Sequence, residues 1–231
     1  VTDLLLLDFN GVVVNDEPIH FAALRDTLRE EGIALEETTY LTEMLGCDDR
    51  ACIRHALRRA RGPDAAAETE VERLAARKAG RYAALTRAHL PLVPGAPRFV
   101  RDATRTAQVA IVSGALRREI VAGLAQAGLD DCIAVIVSAE DVGASKPDPQ
   151  GYRLAATRLA GNRDRARVVV IEDSRPGLDA ARALGAGCVA LTTSHDADAL
   201  AGADRIWVSF EAHTPAELAP LFRDIRLHDD A

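Results

Sequence analysis

Short apolar runs recur along the chain, each followed by a small polar cluster and then by helical periodicity. The runs span residues 4–9, 109–113, 133–137, 168–171, 188–191 and 205–208. They are rich in Val, Ile and Leu and lack polar alternation, which predicts strands buried on both faces of a parallel sheet. Helical stretches over 116–127, 150–159 and 177–184 lie between them. Alternating strand and helix predicts an α/β, doubly wound architecture. In such sheets ligands bind beyond the carboxyl ends of the strands.

The segment 16–91 breaks this pattern. It shows no convincing strand and four helical patterns, at about 17–31, 38–45, 50–61 and 64–89. It reads as a small α-helical bundle inserted after the first strand, a cap domain on a core made of residues 1–15 and 92–231. Pro91, Pro94 and Pro97 bracket its exit as a hinge or linker.

Composition narrows the class. At 48% apolar residues the chain can build a core, which excludes a disordered protein. A net charge of −7 without a basic block argues against a nucleic-acid partner. The apolar runs are far too short to span a membrane. The chain opens on a strand with no leader pattern and begins with Val1 rather than Met, as expected of a trimmed start. Cys47, Cys52, Cys132 and Cys188 form no CxxC pair and no zinc spacing, so free thiols in a cytoplasmic protein are expected, and the chain is expected to be a monomer. Lys78 and Lys146 are the only lysines; positive charge is otherwise carried by Arg. A Lys at a special position is therefore a chemical signal, since the two cations are not interchangeable.

Four strand ends carry candidate chemistry. Asp8 closes the first run just before Gly11 and could ligate a metal or act as a nucleophile, or merely start a turn. Ser113 and Gly114 close the second; a hydroxyl and main-chain N–H groups before a helix make an anion site or an ordinary N-cap. Lys146 follows the third, between small residues and Pro147, and could neutralise phosphoryl charge or sit solvated in its loop. Glu172 and Asp173 end the fourth and most apolar run. Adjacent carboxylates there need a cation or hydrogen bonds, and hard oxygens suit Mg²⁺; a helix cap by Asp173 or Ser174 would leave Glu172 unexplained. Each signal is modest alone. Together, an Asp, a Ser, a Lys and an acidic pair would meet along one edge of the sheet.

The segments DFNGVVVNDEPIH, SGALRREI, GASKPDP and IEDSRPGLDAARALGAG resemble the four motifs of the haloacid dehalogenase superfamily, in its β-phosphoglucomutase-like branch with a helical cap. The resemblance covers nearly the whole chain and implies a Rossmann-like core. It implies a Mg²⁺-dependent hydrolase of a small phosphorylated metabolite, with Asp8 as the nucleophile that forms an aspartyl-phosphate. Asp8, the main-chain carbonyl of Asn10 and Asp173 would hold Mg²⁺, with Glu172 beside it. Ser113, Gly114 and Lys146 would grip the phosphoryl group, and the cap would exclude water.

The chain departs from that pattern at Asn10, where the family's phosphatases and mutases carry an Asp that protonates the leaving group. Asn keeps the main-chain ligand but cannot move a proton, and general acid–base help is worth about 10² to 10⁴ in rate. Four readings follow: slow turnover, substrates with good leaving groups, replacement by Glu17 or His20 at the hinge, or a phosphometabolite-binding protein without catalysis. Asn10-Gly11 is also a deamidation-prone pair. The family's sugar-phosphate Arg, three residues after the Gly matching Gly46, is Asp49 here with Arg50 next, and the hinge carries Asn15 and Asp16. A phosphomutase would need the missing acid twice per cycle. A metal-free dehalogenase of the same superfamily would not carry the acidic pair. A phosphonate-cleaving relative would need a cap lysine, but Lys78 reads as the solvated face of the last cap helix.

Overall fold

A computed structural model of the chain describes residues 2–45, 47, 49–88 and 90–227, so Gly46 and His89 lie outside the described residues. Two compact units emerge, Asp16–Leu90 and the pair of segments Val1–Asn15 and Pro91–Ala231.

The larger unit is built on β1 (Asp3–Leu7), β2 (Gln108–Val112), β3 (Val135–Val137), β4 (Arg165–Glu172), β5 (Gly187–Leu191) and β6 (Arg205–Trp207). They pair in the order β3-β2-β1-β4-β5-β6, all parallel. Leu4 to Leu7 are all fully buried. Side chains alternate across a strand. Leu4 and Leu6 join Ala110, Val112, Val168 and Val170 in one core layer with Tyr152, Leu159, Leu178 and Leu184. Leu5 and Leu7 therefore face the opposite side, which is why the run carries no polar alternation. At about 1.5–3 kcal/mol per buried Leu, β1 contributes a large share of the apolar anchoring of the sheet.

The helices of this unit are α5 (Ala96–Ala103), α6 (Arg117–Ala127), α7 (Gln150–Ala160) and α8 (Arg175–Leu184). Sequence periodicity missed α5: Pro97 sits in its first turn, where a missing N–H costs nothing, rather than in a linker. It also missed β7 (Arg223–Arg226), which runs antiparallel to the first half of β4. β1 covers one edge of β4 over Arg167–Ile171, and β5 begins only at Val169. β7 therefore fills the stretch of the other edge that β5 leaves open. Where the chain leaves and re-enters this unit, Asn15 N–H donates to the Pro91 carbonyl at 2.8 Å and Val93 N–H to Val13 at 3.0 Å.

Among the described residues the smaller unit is helical: α1 (Glu17–Arg29), α2 (Glu37–Glu43), α3 (Asp49–Arg61) and α4 (Glu68–Ala88). Its core gathers Leu24, Leu28, Met44, Ile53, Leu57, Val71 and Leu74. Lys78 is not solvated as its sequence context suggested; it is 1% exposed. It continues the buried Val71–Leu74–Ala75 stripe one helical repeat further on. Its ammonium donates to His20 Nδ1 at 2.6 Å and pairs with Asp49 at 2.7 Å, and the Tyr82 ring lies 5.1 Å away. A buried ammonium is tolerated when it is paired and hydrogen-bonded in this way.

Candidate active site

The carboxyl ends of β1, β2 and β4 bring the candidate residues together. Asp8 follows β1 directly, its N–H donating to the Ile171 carbonyl at 3.0 Å. Lys146 arrives from the loop before α7, and its Nζ lies 2.9 Å from Asp8 Oδ1, 2.5 Å from Glu172 Oε1 and 3.1 Å from the Val112 carbonyl. The Val112 carbonyl and Glu172 Oε1 accept hydrogen bonds from the ammonium, while Asp8 stands at ion-pair distance. Burial works against its charge, but Asp8 and Glu172 outweigh burial and hold its pKa above the ordinary value. Asp8 Oδ1 has no donor aligned on it in spite of that short contact.

Glu172 is fully buried and compensated on both oxygens. Oε1 accepts from Lys146 and, at 2.7 Å, from the Tyr152 hydroxyl. Oε2 accepts from the Asp173 and Ser174 N–H groups at 3.0 and 3.1 Å and from the Ser174 hydroxyl at 2.9 Å. Burial alone would raise its pKa; the Lys146 charge and these donors bring it below the ordinary value. Ser174 also caps α8, accepting from Gly177 N–H. The capping role foreseen as a rival explanation is thus filled by Ser174 without displacing Glu172.

Asp173 and Asp8 have the opposite balance. Burial, then the charges of Asp8 and Glu172, push the Asp173 carboxyl well above its ordinary pKa. Burial pushes Asp8 from 3.8 to about 6, with Lys146 opposing and Glu172 adding to the rise. Asp8, Glu172 and Asp173 each offer an oxygen within 4.8 Å of the others, against one ammonium. An excess of buried negative charge in hard oxygen donors, one of them an Asp8 oxygen without an aligned donor, fits a divalent cation such as Mg²⁺.

Ser113 joins this group from the end of β2, its hydroxyl 3.4 Å from Asn10 Oδ1 and accepting from Ala115 N–H at 3.2 Å. It does not cap α6, which begins at Arg117; Ser113 and Gly114 lie in the turn before it. Gly11 takes φ +71°, and a Cβ there would lie 1.8 Å from Asp173 Oδ2. Its N–H donates to Val14 at 2.7 Å. Deamidation of Asn10 requires that same nitrogen to attack the Asn10 side chain, so the turn that makes room for Asp173 also protects the amide.

Other candidates stand in the helical unit. The Glu17 carboxylate accepts from the Tyr40 hydroxyl. His20 is bound by Lys78 and lies 3.3 Å from Asp16, whose carboxylate also accepts from Tyr82. Arg50 pairs with both oxygens of Glu72 at 2.5 and 2.9 Å. These three are held by partners within their own unit.

Sequence reasoning missed the loop after β5. The Ser194 hydroxyl donates to Asp173 and the Thr193 hydroxyl to the Gly11 carbonyl, while His195 Nδ1–H donates to the Asp173 carbonyl at 3.1 Å. A polar Thr-Thr-Ser-His cluster directly after a buried strand was the available signal.

The model of the haloacid dehalogenase-like hydrolases matches residues 2–185. The chain belongs to this family. It is 39% identical over 94 residues to validoxylamine A 7'-phosphate phosphatase of Streptomyces hygroscopicus subsp. limoneus, a match covering 41% of this chain and 43% of that protein. With a phosphorylated carbohydrates phosphatase of Thermotoga maritima it shares 27% identity over 79% of this chain and 82% of that one. The D10N mutant of CbbY from Rhodobacter sphaeroides, solved with xylulose-(1,5)bisphosphate, superposes with a TM-score of 0.72 at 27% identity, covering 91% of this chain and 96% of that one. This haloacid dehalogenase-like hydrolase has no described helix long and apolar enough to cross a membrane.

Proposed function

We propose that the chain is a Mg²⁺-dependent phosphatase of small phosphorylated carbohydrate-like metabolites, working through an aspartyl-phosphate on Asp8. The observation that carries the reading is Asp8 itself: a half-buried carboxylate whose buried Oδ1 lies 2.9 Å from the Lys146 ammonium without an aligned donor, beside two further carboxylates. Relatives named for phosphorylated validoxylamine and carbohydrates support the substrate class.

Asp8, Asp173 and the main-chain carbonyl of Asn10 would hold the metal, with Glu172 adjacent. Bound there, Mg²⁺ would neutralise the carboxylates and phosphoryl oxygens so that two anions can approach. An Asp8 oxygen attacks phosphorus, the phosphorus–oxygen ester bond breaks, and the electron pair leaves with the substrate oxygen. Lys146 and the Ser113 hydroxyl stabilise the transferring group. Water then attacks the acyl phosphate, releasing phosphate and restoring Asp8. Asn10 neither protonates the leaving oxygen nor activates that water. The chain therefore favours leaving groups that need no proton, such as acyl or aryl phosphates.

Asn10 also supports a second reading, a protein that retains phosphorylated ligands with little turnover. The test is a paired assay of the chain and Asn10→Asp with an activated aryl phosphate, with and without Mg²⁺. A Mg²⁺-dependent gain of about 10² or more in the variant is expected. Inertness of both proteins with Mg²⁺ bound would overturn the phosphatase reading.

A further inference from the structure

We infer that Tyr152 is a positioning residue for the phosphoryl-binding ammonium of Lys146, a role its place inside α7 did not suggest. The inference rests on the phosphatase reading above. Tyr152 is 1% exposed, so its hydroxyl needs a partner, and it finds Glu172 Oε1 at 2.7 Å. That oxygen is the one that takes Lys146 Nζ at 2.5 Å, while Oε2 is occupied by Asp173 and Ser174. The same ring lies 5.0 Å from Nζ. Tyr152 therefore touches the ammonium twice, through its face and through the acceptor they share.

Sharing has a direction. Nζ stands between two carboxylates, 2.5 Å from Glu172 and 2.9 Å from Asp8. A donor on Oε1 withdraws part of the negative charge that draws Nζ towards Glu172. Without it, the ammonium shifts towards Glu172 and away from Asp8, where the phosphoryl group must be met. The aromatic ring, 5.0 Å from Nζ, adds a favourable contact that helps hold the ammonium in place. Small displacements of a charged group at a reacting centre are costly in rate.

Tyr152→Phe keeps the ring and the packing and removes only the hydroxyl. In the Asn10→Asp background with Mg²⁺ and an activated aryl phosphate, kcat/KM should fall about tenfold, as expected for losing a hydrogen bond to a charged group. Affinity for inorganic phosphate should fall with it. The discriminating arm repeats the substitution in Lys146→Arg, which keeps a buried cation but not a point ammonium. If Tyr152 acts through Nζ, its effect there should shrink to no more than about twofold. Unchanged kcat/KM, or an equal loss in both backgrounds, overturns the inference and leaves the phosphatase reading standing. An inert Asn10→Asp reference overturns both.

Discussion

Replacing Asp8, the proposed nucleophile, should make the metal-free protein more stable. Asp8 sits in a site with more buried negative charge than Lys146 offsets, so its pKa rises from 3.8 to about 6 on folding. Between those values the folded chain holds a proton that the unfolded chain releases. Stability therefore falls as pH rises through that window, and the loss is complete above the folded value. At about 1.4 kcal/mol per pH unit, the ionised Asp8 costs the metal-free fold on the order of 3 kcal/mol at pH 7. Asp8→Asn mimics the neutral acid, removes that cost at pH 7 and changes little near pH 3.5. In a chain of 231 residues the gain corresponds to a rise in Tm of about 6 to 12 °C. The assay is urea and thermal unfolding of both proteins in chelator at the two pH values, repeated at pH 7 with Mg²⁺. The metal should stabilise the parent strongly, by about 2.7 kcal/mol at one hundred times its Kd, and the variant much less. If Asp8→Asn is less stable than the parent at pH 7, or differs equally at both pH values, the charge balance drawn here is wrong. Lys146 would then depend on Asp8 more than Asp8 suffers from its neighbours.

Lys146→Met should act in the opposite direction, since it strips the cation from a fully buried Glu172 and from Asp8. A loss of about 3–5 kcal/mol in urea unfolding, together with loss of turnover, is expected for breaking a buried pair on one side. Gly11→Ala forces a Cβ to within 1.8 Å of Asp173 Oδ2 at a φ of +71°. Calorimetric titration should show Mg²⁺ affinity reduced by about 10- to 100-fold, because a ligand is pushed out of place; unaltered affinity would mean that Asp173 is not a ligand.

The strand ends that carry Asp8, Ser113 and the Glu172–Asp173 pair were legible because buried parallel strands announce themselves locally. A run such as Leu4–Leu7 is apolar on both faces, and the first polar residue after it must lie at the sheet's edge. Asn10 was equally legible, as a substitution inside a motif. Lys78 was misread although its spacing held the answer, seven residues after Val71 on the buried stripe of α4. Charge type was weighed above position, and the partners His20 and Asp49 lie far away in sequence.

The sequence by itself determined the alternating α/β order, the helical insertion and the family, and it singled out the residues proposed to hold a phosphoryl group and a metal. All of these are written in periods of two and 3.6 residues or in short motifs, which need no distant partner. Only the tertiary structure decided that Tyr152 shares an oxygen of Glu172 with Lys146, that Ser194 and Thr193 brace Asp173 and Gly11, and that β7 pairs with β4. It also decided which carboxylates are held charged and which are pushed towards neutrality. Those outcomes depend on burial and on contacts between residues 20 to 182 positions apart, and no local pattern encodes the distance between two side chains that meet only when the sheet forms.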